Sequence, residues 1–462
     1  MGVQAMNATN RKAQGAGRPL KIIQAVGWYY PDSLGGTEIY VAALARQLQQ
    51  CGHLVIVAAP DSNIAAPRVY EHDGCEVFRY PIPASPTREE AQGGAVRGTG
   101  HFHRWLADQR ANVVHFHTFV TGLGLPEIHA AKDAGSRVIV TTHASSLGFM
   151  CQRGTLMLQG RTLCDGIVDV QRCAACALEH CGAPAPVAAA LSYVPPPTGA
   201  VISRVPGPAG TALGMTDLIV RNMGRQRAMM AAVDAFVVLT ERAAGMLLAN
   251  GSPPAKLVVN RLGVPEYPNP ATRRVKRQRK ARRVRVGYVG RFEEVKGVLD
   301  LAEAIRRLPA DLPLHVEFRG PAQGSEERRT RTEIERMFAS DGRVAVGEAI
   351  APRDVQKVLK SYDVLCCPSR CLEGGPTVGL EALAVGVPLI AASVGGIAEV
   401  LQDGVNARLV PPGDVDGLAA ALVEVARDPD GTIGRWRQHL PEPRTMRDVA
   451  HDYLPLYAGQ SR

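Results

Sequence analysis

The chain has 462 residues, of which 46% are hydrophobic, so two or three domains with large cores are expected. Its net charge of +9 comes from the nine basic residues between Arg273 and Arg285, because without them 44 basic residues would face 44 acidic ones. No run of 18 apolar residues is present, which excludes a membrane-spanning helix, and no aromatic residues interrupt the basic run, so nucleic acid is not an expected partner.

The N-terminal half alternates short apolar runs with amphipathic segments. Residues 1–18 are polar and lack the apolar centre of a secretory signal, so we predict a disordered tail and a cytoplasmic protein. Strands are predicted at 20–27, 54–58, 76–80, 113–116, 137–141, 235–239 and 256–260. Helices are predicted at about 100–109, 125–134 and 242–250, and residues 35–38 are predicted to open an earlier one that runs to about Gln50, with Thr37 as its candidate cap. This order predicts a doubly wound α/β domain over residues 19–265.

The predicted boundaries beyond this point follow breaks in composition. Residues 150–205 are rich in Cys and then in Pro and Ala, which indicates an insertion, and a long helix is expected near 212–230. Residues 266–282 form a basic linker. A second Rossmann-like domain is predicted over 283–435, followed by a segment at 436–462 whose apolar spacing is helical.

One stretch of the second domain carries the main chemical signal. A buried strand at 363–367 is followed by Glu373-Gly374-Gly375-Pro376, and a helix is predicted at 377–384. The first backbone N–H groups of this helix, at Thr377 and Val378, are suited to an anion, and the two glycines allow a close approach. Glu373 and Glu381 flank this anion site. Carboxylates beside a phosphate site fit sugar hydroxyls.

The run from Glu373 to Glu381 resembles the E-x7-E signature of the retaining glycosyltransferases of family 4, which have the GT-B fold. The similarity continues through Gly395, Gly396 and Glu399. It implies two Rossmann-like domains facing across a cleft, with the C-terminal segment returning to the first domain. It also implies that Glu373 contacts a donor hexose and that Glu381 contacts the nucleotide ribose. The implied reaction moves a hexose from a nucleotide-diphosphate sugar to a glycan or lipid-linked acceptor, without a catalytic cofactor, in the synthesis of cell-surface polysaccharide or glycoconjugates.

Further residues match other parts of the family pattern. Arg291 and Lys296, in Gly290-Arg-Phe-Glu-Glu-Val-Lys-Gly297, resemble its diphosphate clamp. Gly35 and Gly36 resemble the glycine loop of its first domain, whose backbone faces the donor diphosphate. The alternative for Arg291 and Lys296 is a solvated arginine and lysine, and the alternative for the glycines is a tight turn that needs no ligand.

His143 follows the predicted strand 137–141, at the edge where α/β sheets place ligands. The resemblance implies that it contacts the donor sugar. Many relatives have an acidic residue next, whereas this chain has Ala144. A structural histidine is the alternative. His117, at the end of another strand, is a candidate for the acceptor side.

Four cysteines of the insertion form a candidate metal site: Cys151, Cys164, Cys173 and Cys176. The last two have the two-residue spacer of a metal knuckle, and Cys181 is a possible substitute. We expect one structural zinc ion, while an iron–sulfur cluster and free thiols remain open. The segment also resembles a Cys-bearing loop in a subset of family 4.

Two other functions remain open from the sequence. One is a catalytically silent scaffold that binds a glycan or a membrane. The other is a nucleotide-sugar epimerase of the same fold, although epimerases carry a different set of acidic residues. The basic linker is either a solvated connection or a contact with anionic lipid on the inner face of the membrane.

Overall fold

The computed structural model describes residues 18–33, 35–143, 150–265 and 283–460. The predicted tail, apart from Arg18, and the basic linker 266–282 lie outside these ranges, as does Ala144. The strands are β1 Lys21–Ala25, β2 Leu54–Asp61, β3 Arg68–His72, β4 Cys75–Pro81, β5 Val113–Phe116, β6 Arg137–Thr141, β7 Met157–Leu158, β8 Thr162–Leu163, β9 Ala235–Val238, β10 Leu257–Val259, β11 Val284–Val289, β12 Leu314–Arg319, β13 Val344–Gly347, β14 Val364–Cys367, β15 Leu389–Ala392 and β16 Ala407–Val410.

The helices are interspersed with these strands along the chain. They are α1 Gly36–Gln50, α2 Arg88–Ala91, α3 Gly100–Gln109, α4 Leu125–Asp133, α5 Val170–His180, α6 Ala185–Leu191, α7 Pro196–Ile202, α8 Pro208–Leu213, α9 Met215–Ala232, α10 Glu241–Ala249, α11 Val298–Arg306, α12 Ser325–Met337, α13 Val355–Leu359, α14 Thr377–Ala384, α15 Gly395–Ala398, α16 Val415–Arg427, α17 Pro429–Gln438 and α18 Met446–Tyr457. None of those in the described ranges is both long and apolar enough to cross a bilayer.

Within the described residues, the first sheet has eight strands in the order β10-β9-β6-β5-β1-β2-β4-β3. Its pairs are parallel except for β3, which runs antiparallel to β4 at the edge. The central strands are almost entirely buried, as expected for strands covered by helices on both faces. The strand order reverses between β1 and β5, and such reversals leave a crevice at the carboxyl edge of a sheet.

The second sheet is parallel throughout its described strands, in the order β13-β12-β11-β14-β15-β16. Its reversal lies between β11 and β14. The loops that follow these two strands contain Arg291 to Lys296 and Glu373. The two regions selected from the sequence are therefore neighbours at the switch point of this sheet. Together the two sheets form the α/β, GT-B-type architecture that the sequence predicted.

Three elements differ from the sequence prediction for physical reasons. Strand β3 was missed because it is an exposed edge strand with no apolar run. Strand β13 was missed because all four of its residues are only partly buried. Thr37 is not the cap of α1, because Gly35 occupies that position and no side chain caps the helix.

The last helix, α18, packs on the first domain. The backbone N–H of Met446 donates to Val264 O at 2.9 Å, which fixes the start of the helix beside β10. Further along, the Tyr453 hydroxyl lies 3.0 Å from that of Tyr40 and 2.8 Å from Thr141 Oγ1. A single apolar cluster includes α18, α1 and helices of the second domain. The C-terminal helix thus joins the two domains.

We expect Tyr453→Phe to lower the free energy of unfolding by about 1–3 kcal/mol, because Tyr40 and Thr141 would each lose a buried partner. Urea denaturation would measure the change. The control is Tyr193→Phe, whose ring is 69% exposed and whose change should stay within about 0.5 kcal/mol. Equal effects of the two substitutions would contradict the docking role of Tyr453.

Candidate functional site

The candidate site is built from two loops held together by their backbones. Gly297, which ends the loop after β11, has φ +69, a value that favours glycine. A Cβ atom here would overlap the carbonyl oxygen of Pro368, in the loop after β14. The close approach therefore requires glycine, and it brings Lys296 next to the loop that carries Glu373.

Lys296 and Glu373 form an ion pair across these two loops. Lys296 Nζ lies 2.6 Å from Glu373 Oε1, and the two side chains are 28% and 13% exposed. Burial alone would lower the pKa of Lys296, but the charge and hydrogen bond of Glu373 outweigh it and raise the pKa. The lysine is therefore a cation at any physiological pH, as a phosphate ligand must be.

The carboxylate of Glu373 is held at one oxygen only. Ser369 Oγ donates to Oε1 at 3.1 Å and the Cys371 thiol points to the same atom at 3.8 Å. Every hydrogen bond that this carboxylate receives from the described part of the chain goes to Oε1. The other oxygen, Oε2, is thus left as an acceptor for a ligand hydroxyl.

The backbone after Glu373 leads directly into α14. Gly375 has φ +143, and Pro376 is the residue before the helix. Thr377 and Val378 are the first helical residues, so their N–H groups lie at the positive end of the helix. Glu381 is partly buried one turn later. The predicted anion site is thus formed by consecutive residues of one loop and one helix.

A third loop, after β15, supports the Glu373 loop. Gly396 N donates to Glu373 O at 2.9 Å. From the same helix, α15, the carboxylate of Glu399 reaches the first domain, where it accepts from the backbone N–H groups of Glu241 and Arg242 at 3.1 Å each. Arg261 Nε lies 3.2 Å from it. Glu399 therefore connects the loop that supports the site to the first domain, on the other side of the cleft.

The two domains also touch at Gly374. A side chain on Gly374 would overlap Leu239, which ends β9 of the first domain. The sequence did not assign roles to Leu239 or Arg261. No motif in the sequence marks either residue, because each is an isolated residue that lies shortly after a strand.

Arg291 lies differently from Lys296. Its side chain is 56% exposed and pairs with Glu293 at 2.7 Å, two residues along the same loop. Burial raises the pKa of Glu293, which shows that this carboxyl is poorly hydrated. Arg291 thus belongs to the loop that carries Lys296, but in this structure its charge is paired with Glu293 of the same loop.

On the first domain, His143 lies two residues after β6 and contacts a second histidine. His143 Nε2 lies 3.1 Å from His117 Nδ1, and His117 Nε2 lies 2.5 Å from Gln24 Oε1. With the amide oriented this way, His117 donates through Nε2 and accepts at Nδ1, so His143 donates through Nε2. Burial lowers the pKa of His143 to about 3 and that of His117 well below its usual value, so both rings are neutral.

Neighbouring side chains fix these two rings. The Tyr40 ring lies edge-on to His143, with ring centres 4.6 Å apart, and its hydroxyl contacts Tyr453 of α18. His115, two residues before His117, bonds Tyr457 at 2.7 Å and Thr141 at 2.8 Å. His115 therefore has a structural role, and α18 contributes to the position of His143.

Gly35 and Gly36 begin α1, beside β1. The carboxylate of Glu38, in the first turn, is only 4% exposed and accepts from Ser33 Oγ at 2.6 Å. The buried acid occupies part of the positive end of the helix. The buried carboxylate of Glu38 therefore stabilises the glycine loop.

The four predicted cysteines line one cavity of about 30 Å³ beside the β7–β8 hairpin and α5. Burial raises the pKa of Cys173 to about 11. Cys181 is exposed at the end of α5 and does not line the cavity. In the ranges that the structure describes, no three His, Cys, Asp or Glu side chains are already close enough together to hold a metal ion.

Two aspartate pairs that could suggest a metal site have other roles. Asp414 accepts from Gly417 N and Asp428 from Gly431 N, both at 2.9 Å. Each caps the helix that follows, α16 and α17 respectively.

Comparison with known proteins matches both halves of the chain. Residues 35–263 match the family described as "Glycosyl transferase 4-like domain", and residues 283–428 match "Glycosyl transferases group 1". The colanic acid biosynthesis glycosyltransferase WcaL of Salmonella typhimurium is 33% identical over 208 residues, which cover 43% of this chain and 49% of WcaL. The chain spans about half the length of the curated relatives it matches.

Solved structures resemble the whole chain in fold. Sucrose-phosphate synthase from Thermosynechococcus elongatus superposes with a TM-score of 0.64 at 20% identity, covering 95% of this chain and 98% of the synthase. Anabaena HepE in complex with UDP-glucose superposes with a TM-score of 0.58 at 13% identity, covering 95% and 99%. At these identities the similarity establishes the fold.

We expect Gly297→Ala to destabilise the protein by about 3 kcal/mol or more, because left-handed strain and the overlap with Pro368 O add together. The matched control is Gly404→Ala, with φ +71 and open space around the new methyl group, which should cost about 1–2 kcal/mol from strain alone. Urea denaturation of both variants would measure the difference. Similar losses would argue against the tight contact between the two loops.

Proposed function

Since this chain belongs to the family 4-type glycosyltransferases of the GT-B fold, we propose that it transfers a hexose from a nucleotide-diphosphate sugar to a glycan or lipid-linked acceptor. The observation that carries the proposal is the pairing of Lys296 with Glu373 at the start of α14. A cation and a helix N-terminus suit a diphosphate, while Glu373 Oε2 suits a sugar hydroxyl next to it.

The proposed chemistry uses charge stabilisation rather than a protein nucleophile. The nucleotide diphosphate leaves with its negative charge held by Lys296, Arg291 and the N–H groups of Thr377 and Val378. The acceptor hydroxyl attacks the anomeric carbon from the same face and gives its proton to a leaving phosphate oxygen. The product would then keep the anomeric configuration. No step requires a metal ion.

The first domain would complete the site. His143, neutral at physiological pH, can exchange hydrogen bonds with sugar hydroxyls without attracting the phosphates. Glu381 is proposed to bind the ribose, and the backbone of Gly35 and Gly36 to face the diphosphate. His117 would act through His143, since its two ring nitrogens already have partners.

For substrates, the named relatives suggest a class. HepE is solved in complex with UDP-glucose and starch synthase IV of Arabidopsis thaliana in complex with ADP, which favours a nucleotide-diphosphate sugar as donor here. WcaL is named for colanic acid biosynthesis, which favours a role in polysaccharide synthesis. The contact with anionic membrane depends on the charge of residues 266–282, outside the described ranges, and it stays a prediction.

A silent scaffold and an epimerase can be separated from a transferase by one assay. Release of the nucleoside diphosphate from a panel of nucleotide sugars is measured with and without acceptor glycans. A transferase releases the diphosphate faster with acceptor, an epimerase converts the sugar without net release, and a scaffold does neither. The last two results would overturn the proposal.

We expect Glu373→Gln to lower kcat by roughly 10²-fold, because its contact with the hexose strengthens in the transition state. Glu381→Gln should chiefly raise KM for the donor. Glu333→Gln, on the exposed side of α12, is the control and should leave both constants unchanged. Full activity of the Glu373 variant would contradict the site assignment.

We expect Lys296→Ala to weaken inhibition by the nucleoside diphosphate at least about tenfold, because a charge-assisted hydrogen bond contributes about 1.5–3 kcal/mol. Arg291→Ala should have a smaller effect, since its side chain is already paired with Glu293. The exposed Lys357 provides the control substitution Lys357→Ala. Unchanged inhibition constants in both site variants would place the diphosphate elsewhere.

A further inference from the structure

The insertion between β6 and α9 contains a small folded unit around its cysteines. Cys151 precedes the β7–β8 hairpin and Cys164 follows it, while Cys173 and Cys176 lie on α5. Because the latter two are three residues apart, they lie on one face of the helix. All four line the same cavity. Two chain turns and one helix thus each contribute cysteine to the lining of one cavity.

The backbone around the cavity is arranged to donate to sulfur. Leu156 and Gln159 have φ +52 and φ +51, which is uncommon for residues other than glycine. The N–H of Leu156 lies 3.4 Å from Cys151 Sγ, and that of Gln159 lies 3.2 Å from Cys176 Sγ.

The sulfur of Cys164 also accepts from a residue in left-handed conformation. Gly166 has φ +76, and its N–H lies 3.4 Å from Cys164 Sγ. Three residues in left-handed conformation therefore each donate to a different cysteine. The hairpin alone does not require these three N–H to sulfur contacts, because its strands contain only two residues each.

These contacts have an energetic implication. A left-handed conformation costs roughly 1–2 kcal/mol for a residue such as Leu or Gln. A neutral thiol is a weak acceptor and gives little in return, whereas a thiolate is negatively charged and accepts strongly. Strained backbone that donates to sulfur is thus better matched to thiolates than to thiols. Because burial disfavours an uncompensated thiolate, the thiolate form of these cysteines requires a cation in the cavity.

We propose that Cys151, Cys164, Cys173 and Cys176 bind one structural zinc ion. Four sulfur ligands suit a tetrahedral site and leave no open position for catalysis. The cavity of about 30 Å³ has room for one ion, since a single water-sized sphere needs roughly 10–15 Å³. An iron–sulfur cluster also contains its own sulfides and needs more space than this cavity offers.

Binding requires the side chains to turn towards the centre of the cavity. As they stand, no three of the described metal-binding side chains share a common centre. Rotation of the cysteine side chains moves the sulfur atoms and leaves the backbone donors in place. Each coordinated thiol loses its proton to solvent when the ion binds. The ion would then link the hairpin to α5.

This link would add to the contacts that hold the unit on the first domain, where Met150 and Leu156 are part of the apolar core. Asn250, after α10, accepts from Val168 N and donates to Gly166 O, both at 2.8 Å. The unit begins seven positions after His143 and ends near α9. A metal here would hold the chain on one side of the candidate site. The inference is independent of the proposed function.

The test measures metal in the full-length protein purified without a histidine tag. Elemental analysis should find about one zinc per chain, and X-ray absorption should show sulfur neighbours at about 2.3 Å. The double substitution Cys173→Ser and Cys176→Ser should reduce zinc to near zero. Cys181→Ser, next to the same helix but away from the cavity, is the matched control and should keep the metal.

A second measurement does not depend on the folding of a variant. Treatment of the wild-type protein with a mercurial thiol reagent in the presence of a zinc-sensitive dye should release one zinc per chain. Protein without metal whose four thiols all react freely would overturn the proposal. So would iron and sulfide in equal amounts, or zinc that persists in the double variant and is lost in Cys181→Ser.

Discussion

The ion pair between Lys296 and Glu373 is the interaction on which the candidate site depends. Two charges that are mostly removed from water are tolerated only as a hydrogen-bonded pair, because either one alone would lose its hydration without compensation. The pair connects the loops after β11 and β14, the strands between which the order of the second sheet reverses. The fold thus provides the crevice, and the ion pair holds together the two loops that border it.

The pair is effective only because the surrounding backbone holds both loops rigidly. Gly297 against Pro368 sets the distance between the loops, and Gly396 N supports the carbonyl of Glu373 from the other side. Glu399 extends this support to the first domain through the N-terminus of α10. Since α18 packs on α1 and belongs to the same apolar cluster as the second domain, the His143 side of the cleft is positioned by the same core. Site geometry and domain packing are therefore not separable in this protein.

Much of this could be predicted from sequence, because local rules apply. Helix α14 was predicted with its observed limits, since proline and glycines mark its start. The alternation of apolar runs indicated two parallel sheets. Side-chain partners were harder to predict, because they depend on three-dimensional contacts. Nothing in the spacing of Lys296 and Glu373 shows that they pair, and nothing in the sequence links Gln24 to His117. Tyr453 could be predicted as buried, but not as a partner of Tyr40.

The electrostatic state of the site follows from these contacts and has a mechanistic implication. Lys296 is neutralised by Glu373, and Arg291 by Glu293, so neither cation of the expected clamp is unpaired in this structure. A diphosphate entering the site would compete with both carboxylates for the same cations. Glu373 would then exchange part of its bond with Lys296 for a bond to a sugar hydroxyl. The cost of weakening the pair is offset more fully when phosphate and sugar arrive together, because the diphosphate then pairs with Lys296 while a sugar hydroxyl bonds Glu373, which favours a complete nucleotide sugar over either fragment. The same carboxylate that holds the resting site together would thus contribute to its selectivity.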